Sequence, residues 1–117
     1  MDKESNDPLL RRKYPRRYFR RKLGILFNGK YWLANGLEIG EGGVSFTLGQ
    51  ALAEGKMLVI NLQVPGGNFI SVQGEIRSIR KDVRSGQYAH GIVFRTLKFE
   101  HKREIRTYVS ARKELEQ

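Results

Sequence analysis

The stretch Met57–Ile79 reads MLVINLQVPGGNFISVQGEIRSI and decides the fold class. Before its central Pro-Gly-Gly-Asn, the large aliphatic side chains recur at every second position, and the same alternation follows it. A period of two is that of a strand with one buried face, and Pro, Gly and Asn are the residues of tight turns. The stretch therefore predicts two antiparallel strands joined by a turn at Pro65–Asn68.

The same pattern continues on both sides of this hairpin. Asn28-Gly29 lies between apolar runs and predicts a second hairpin, since both of its residues tolerate positive φ. Asn35-Gly36 predicts a further break between strands. Together these signals predict about six strands, which need closure or a cap to hide their edges. The other predicted strands are Leu23–Phe27, Tyr31–Leu33, Val44–Leu48 and Gln87–Arg95, with Leu37–Ile39 as a short additional strand piece.

The C-terminal part of the chain changes to a helical period. Residues Glu100–Glu116 contain no Gly or Pro. One narrow apolar stripe at helical spacing predicts a helix that packs on the mouth or flank of the strands. The stripe consists of Ile105, Tyr108, Val109, Arg112 and Leu115.

The segment Arg11–Lys22, called the basic arm below, carries most of the net charge. Eight of its twelve residues are Arg or Lys, and no Asp or Glu occurs between Asp7 and Glu38. Pro15 disfavours helical angles at Tyr14, so the arm is predicted to be extended. Such a concentration of charge favours an anionic partner: a nucleic acid, an anionic membrane surface or a small phosphorylated ligand. A solvated tail is the simpler alternative.

Composition and motifs narrow the remaining functions. The 117 residues predict one domain, and the absence of Cys excludes a disulfide framework, which fits the cytoplasm. No signal peptide or membrane span is predicted. His90 is predicted to be a packed or edge residue of a strand rather than a base, and His101 to lie on the helix surface. No acid pair or metal spacing accompanies them. We therefore expect neither an enzyme nor a bound cofactor.

A glycine-rich loop follows the basic arm. Glu38–Val44 reads EIGEGGV, with three glycines in four positions. Such residues can take positive φ and let the backbone approach a ligand, and free N–H groups in such a turn can hold an anion. A plain turn or bulge would have the same composition.

The basic arm and the loop together resemble the PilZ domain, the bacterial receptor module for cyclic di-GMP. Arg12 and Arg16 match its Arg-x-x-x-Arg motif, Arg11 matches an extra arginine often found before it, and Glu38–Gly43 lies where its Asp/Asn-x-Ser-x-x-Gly loop belongs. The resemblance covers roughly residues 11–111. The later strands are matched by Val72–Ile76 and Gly91–Phe94.

This resemblance implies a six-stranded antiparallel β-barrel with a C-terminal α-helix, divided into a disordered tail (1–10), a ligand-binding arm (11–22) and the barrel with its helix (23–117). Glu38 replaces the usual Asp or Asn, and Gly40 replaces Ser, which removes one hydrogen bond to the ligand at about 1 kcal/mol, or up to about tenfold in affinity. The implied cyclic di-GMP site consists of Arg11, Arg12, Arg16, Glu38, Gly40, Gly42 and Gly43.

The implied mechanism is a switch in which ligand binding orders the basic arm and changes a surface shown to an unidentified downstream protein. Arg11 further implies two ligands per chain. One alternative is a degenerate PilZ-like adaptor that no longer binds the nucleotide. A lesser alternative is a nucleic-acid-binding barrel that uses three arginines on phosphates and two aromatic rings on bases. Those residues are Arg17, Arg20, Arg21, Tyr18 and Phe19.

Overall fold

Seven strands and one helix make up the part of the chain that the computed structural model describes, which is residues 15–115, with side chains to residue 111. The elements are β1 (Arg16–Tyr18), β2 (Lys22–Phe27), β3 (Lys30–Gly40), β4 (Gly43–Leu48), β5 (Met57–Gln63), β6 (Phe69–Lys81), β7 (Tyr88–Arg95) and α1 (Phe99–Leu115).

Six of these strands close into an antiparallel barrel in the order β3-β2-β5-β6-β7-β4, and the pairing of β3 with β4 closes the ring. The seventh strand, β1, pairs with the end of β3 beyond β2. Closure leaves no unpaired edge among the six barrel strands, which removes the edge that an open sheet would expose. The predicted all-β fold, a six-stranded barrel with a C-terminal helix, is confirmed.

The core lies inside the barrel because alternate side chains of each strand point inward. In β6, Ile70, Val72, Gly74 and Ile76 are all buried, as the period of two predicts. Turn chemistry is equally local: Asn28 and Gly29 have φ values of 52° and 78°, which is the hairpin turn that Asn-Gly favours. The Pro65–Asn68 turn joins β5 to β6, as predicted.

The predicted break at Asn35-Gly36 is wrong, because β3 continues through it from Lys30 to Gly40. A β-bulge between Gly36 and Glu38 shifts the register against β4. A Cβ on Gly36 would overlap the backbone oxygen of Phe19 and lie 2.8 Å from that of Arg21. Glycine is therefore required there by close chain approach, where the sequence suggested a turn.

The helix α1 packs over β3 and β1. Ile105 and Val109 are buried and Tyr108 is half-buried, so the apolar stripe faces the barrel as predicted. The side chains of Arg112 and Leu115 lie outside the described residues. Glu104 ties the helix to the β5–β6 turn by accepting hydrogen bonds from the backbone and side-chain nitrogens of Asn68, at 3.1 and 2.8 Å.

His90 is a buried structural histidine, so of the two predicted placements, packed or at a strand edge, the packed one is correct. Its Nε2 accepts a hydrogen bond from the Leu52 N–H at 3.1 Å, so Nδ1 carries the proton and donates to the Tyr88 carbonyl, also at 3.1 Å. The ring stacks on Phe46 with centroids 5.1 Å apart. Burial lowers the pKa of His90, so the folded protein favours the neutral ring.

We therefore expect acid to destabilise the barrel through His90. The unfolded chain takes up a proton as pH falls below about 6.5, while the folded chain resists it, so the free energy of unfolding falls from that pH downward. Urea denaturation between pH 7.5 and 5.5 should show this loss in the wild type and in His101→Asn. It should be absent from His90→Phe, and an equal loss in that variant would contradict the assignment.

Candidate functional site

The strand β1 places the middle of the basic arm beside the glycine-rich loop. Arg16 lies opposite Gly40 and Tyr18 lies opposite Glu38 in the antiparallel β1–β3 register. Arg16 Nη1 is 3.8 Å from Glu38 Oε1, and both side chains are 37% exposed. The predicted extended conformation of the arm is confirmed for Arg16–Tyr18, and three predicted site residues (Arg16, Glu38 and Gly40) lie together on the outer face of the barrel.

Gly40 permits this close approach. A Cβ at this position would lie 2.9 Å from the Pro15 carbonyl oxygen and 3.3 Å from Cγ of Arg16. The first distance is shorter than real Cβ contacts allow, so a side chain here would push the arm away from β3. The glycine that removes the hydroxyl at position 40 therefore also allows the arm to pack against β3. This second effect could not be seen in the sequence.

Of the other two loop glycines, Gly43 serves chain packing, because a Cβ there would overlap the carbonyl oxygen of Ile92 on the paired strand β7. Gly42 is exposed, and its carbonyl accepts the Phe94 N–H at 2.9 Å, a bond that does not depend on glycine. Gly40, Gly42 and Gly43 do not use the positive φ that glycine permits, and four other glycines among the described residues do. Those glycines are Gly29, Gly55, Gly66 and Gly86.

Glu41, within the same loop, is the buried acid that sequence reasoning passed over. Its side chain is only 9% exposed, and it accepts two hydrogen bonds from Arg106 of α1, from Nε at 2.7 Å and from Nη2 at 3.1 Å. These bonds lower the pKa of Glu41, although its burial acts in the opposite direction. The partners are 65 positions apart in the chain, so no local spacing indicated this pair.

This ion pair predicts a second pH dependence, in a more acidic range. A carboxyl whose folded pKa is lowered contributes stability above its unfolded value of about 4.5, and that contribution disappears as pH falls through the folded pKa. The Glu41→Gln variant should be less stable than wild type by about 1.5–3 kcal/mol at pH 7, the range typical of hydrogen bonds to charged groups. Urea midpoints should converge below pH 4.5, and parallel curves would contradict the assignment.

Two further residues on the same outer face were not predicted for this site. Ser45 lies opposite Glu38 on β4, and its Oγ accepts the Glu38 N–H at 3.2 Å. Tyr18 is 60% exposed beside Glu38, with the Arg20 guanidinium 5.0 Å from its ring centroid. The surface therefore offers a cation, a carboxylate, a hydroxyl and an aromatic ring within three neighbouring strands. Alternation in β4 was the available signal for Ser45.

Two residues assigned to nucleic-acid contacts in the lesser alternative face the helix. Phe19 is fully buried and meets Tyr108 edge-on, with ring centroids 6.0 Å apart. The Arg17 guanidinium lies 4.1 Å from the centroid of the Tyr108 ring, and its Nη1 donates to the Tyr108 carbonyl at 2.9 Å. A buried ring cannot stack on a base, so the prediction for Phe19 is wrong.

The described residues contain no cluster of three or more His, Cys, Asp or Glu side chains able to hold a metal ion. No helix within residues 15–115 has the length and apolar character needed to cross a bilayer. The predicted site residues Arg11 and Arg12 lie outside the described residues, so their placement at the site stays a prediction.

The protein is a small β-barrel domain with a cationic candidate site. The site is formed where β1, which carries Arg16, lies on the outer face of the barrel, and α1 contacts both. The chain belongs to the PilZ family, because the model of the PilZ domain matches residues 10–111. A comparison with curated proteins gave no match.

Three solved structures illustrate the shared fold. The inhibitor of motility MotI/DgrA of Bacillus subtilis aligns with a TM-score of 0.83 and 17% identity over 91% of this chain and 53% of its own. Escherichia coli YcgR in complex with c-di-GMP gives 0.70 and 15%, over 90% of this chain and 47% of its own. The MrkH–c-di-GMP complex of K. pneumonia gives 0.70 and 15%, over 89% and 53%. The chain thus spans about half the length of these proteins.

Proposed function

We propose that this chain is a receptor for cyclic di-GMP and acts by regulating another protein. The carrying observation is the β1–β3 register, which sets Arg16 against Gly40 and within 3.8 Å of Glu38 on an exposed face. Membership of the PilZ family and the c-di-GMP complexes of YcgR and MrkH support the choice of ligand. A receptor of this kind has no catalytic step and works in the cytoplasm.

The residue chemistry suits the two phosphates and two guanines of the ligand. In this proposal Arg16 donates two hydrogen bonds to a phosphate or to the O6/N7 edge of guanine. Glu38 accepts a hydrogen bond from a guanine N–H, and Ser45 supplies the hydroxyl group that is missing at Gly40. Exposed Tyr18 provides a ring on which a base can stack.

The remaining predicted residues complete this proposal. Arg11 and Arg12 are to supply further cations from the preceding part of the arm, with Arg11 favouring a second nucleotide. Gly42 is exposed and lets a ligand approach the backbone of the loop. Gly43 acts indirectly, by allowing β4 to lie close to its paired strand β7.

The ion pair between Arg16 and Glu38 is compatible with ligand entry. At 3.8 Å it is longer than a charge-assisted hydrogen bond, and both groups are partly exposed. Such pairs contribute about 0–1 kcal/mol, whereas hydrogen bonds to charged groups contribute about 1.5–3 kcal/mol. A phosphate can therefore compete with Glu38 for the Arg16 guanidinium.

The structure modifies the predicted switch at one point. Residues Arg16–Tyr18 form a strand paired with β3, so binding need not order them at the roughly 1–2 kcal/mol per residue that a free segment would require. We propose that the ligand strengthens the attachment of this strand to the barrel and thereby stabilises one form of the surface presented to the partner protein.

Isothermal titration calorimetry with cyclic di-GMP tests the proposal, with GMP as the control nucleotide. We expect saturable binding of the cyclic dinucleotide, and a titration endpoint near two ligands per chain if Arg11 has its predicted effect. No heat of binding at high micromolar concentration would reject the receptor and favour the adaptor that does not bind the nucleotide.

A further inference from the structure

The helix α1 contacts both walls of the proposed site from the side opposite the ligand face. One wall is β1, and the other is the loop between β3 and β4. Arg106 reaches the loop and Tyr108 reaches β1, although they are only two residues apart on the helix. No other described helix is available to make such a bridge.

Tyr108 holds β1 through contacts with three consecutive residues. Its hydroxyl donates to the Tyr18 carbonyl at 3.0 Å, and its ring meets the edge of Phe19. The Arg17 guanidinium covers the ring at 4.1 Å and also donates to the Tyr108 carbonyl at 2.9 Å. Because Arg16 and Tyr18 point to the outer face, these contacts fix the backbone that carries them.

Arg106 holds the loop in a comparable way. Its guanidinium makes a two-point contact with the buried Glu41 carboxylate, at 2.7 and 3.1 Å. Glu41 directly follows Gly40, which lies opposite Arg16. Two parallel hydrogen bonds between a guanidinium and a carboxylate restrict their relative rotation as well as their distance. The helix therefore fixes the position of the loop relative to β1.

We propose that Tyr108 and Arg106 are positioning residues for cyclic di-GMP: they hold β1 and the loop at the separation that the ligand requires, without touching it. This inference rests on the proposed function. Sites held in the binding geometry before the ligand arrives bind more tightly, because less freedom is lost on association. By thermodynamic reciprocity, the ligand then strengthens the attachment of α1 to the barrel.

The Tyr108→Phe variant provides the decisive measurement, since it removes the hydroxyl that holds Tyr18 and keeps the ring under Arg17. We expect a three- to tenfold weaker affinity for cyclic di-GMP by calorimetry. Tyr88→Phe is the matched control. Tyr88 is also half-buried and has a cation 5.7 Å from its ring, but it lies at the end of β7 that is remote from Gly43. The affinity of this variant for cyclic di-GMP should stay within twofold of wild type.

Amide hydrogen exchange separates positioning from general stability. The Phe19 N–H bonds to the Leu37 carbonyl at 2.8 Å and so reports the attachment of β1 to β3. In ligand-free Tyr108→Phe its exchange should be faster than in wild type, while the amides of β5 keep their wild-type rates. Uniformly faster exchange would show a merely structural role and overturn the proposal.

The outcomes also distinguish this inference from the proposed function. Wild-type binding with unchanged affinity in Tyr108→Phe overturns the inference and leaves the receptor intact. If the wild type does not bind cyclic di-GMP, the receptor is rejected and the exchange rate of Phe19 alone decides. Faster exchange of that amide in Tyr108→Phe then shows that Tyr108 holds β1 to the barrel, and an unchanged rate shows that it does not.

Discussion

Replacing Arg16 with alanine is expected to weaken cyclic di-GMP binding by about 10- to 100-fold. The estimate follows from the loss of charge-assisted hydrogen bonds worth about 1.5–3 kcal/mol, since each 1.4 kcal/mol is a factor of ten in affinity. Arg16 is the one predicted arginine of the site that the structure describes, and its side chain lies on the exposed face next to Glu38. Calorimetry at constant salt measures the change.

The control for this experiment is Arg84→Ala, which removes the same charge at a distant position. Arg84 lies in the exposed turn between β6 and β7, beside the ends of β4 and β7 that are remote from Gly43. We expect its affinity to stay within about twofold of wild type, because exposed charges beyond a Debye length are largely screened. Equal losses in both variants would indicate a response to net charge alone and would remove Arg16 from the site.

Adding a single methyl group at Gly43 is expected to destabilise the barrel by about 3 kcal/mol. The new Cβ of Gly43→Ala would overlap the carbonyl oxygen of Ile92. That oxygen belongs to the backbone of β7, which is paired with β4 on one side and β6 on the other, so it cannot rotate away. Overpacking that forces backbone shifts costs about 1–3 kcal/mol, and a rigid backbone neighbour places this case at the upper end. Urea denaturation measures the free energy of unfolding.

Gly49→Ala is the matched control, because a Cβ there meets only the Gln87 side chain, at 3.7 Å. Its stability should lie within about 1 kcal/mol of wild type. If Gly43→Ala proved as stable as this control while binding was lost, Gly43 would contact the ligand directly, contrary to the packing role that we assign.

Local signals in the sequence were sufficient for much of the fold. The period of two in Met57–Ile79 and the positive φ of Asn28-Gly29 depend on neighbouring residues only, and both predictions were confirmed. The helical spacing of Ile105, Tyr108 and Val109 also depends on nearby residues only, and it correctly predicted α1. The spacing of Arg16 and the glycine-rich loop led to the PilZ family through resemblance, which the family model confirms.

Contacts between distant parts of the chain decided the rest. The pairing of β1 with β3, the bulge that carries β3 past Gly36, and the ion pair of Glu41 with Arg106 join segments that no periodicity relates. Glycine illustrates the reason. At Gly29 the preceding Asn already indicates a turn, and the structure agrees. At Gly43 only the folded chain shows that glycine is required, because it lies against the backbone of the paired strand β7.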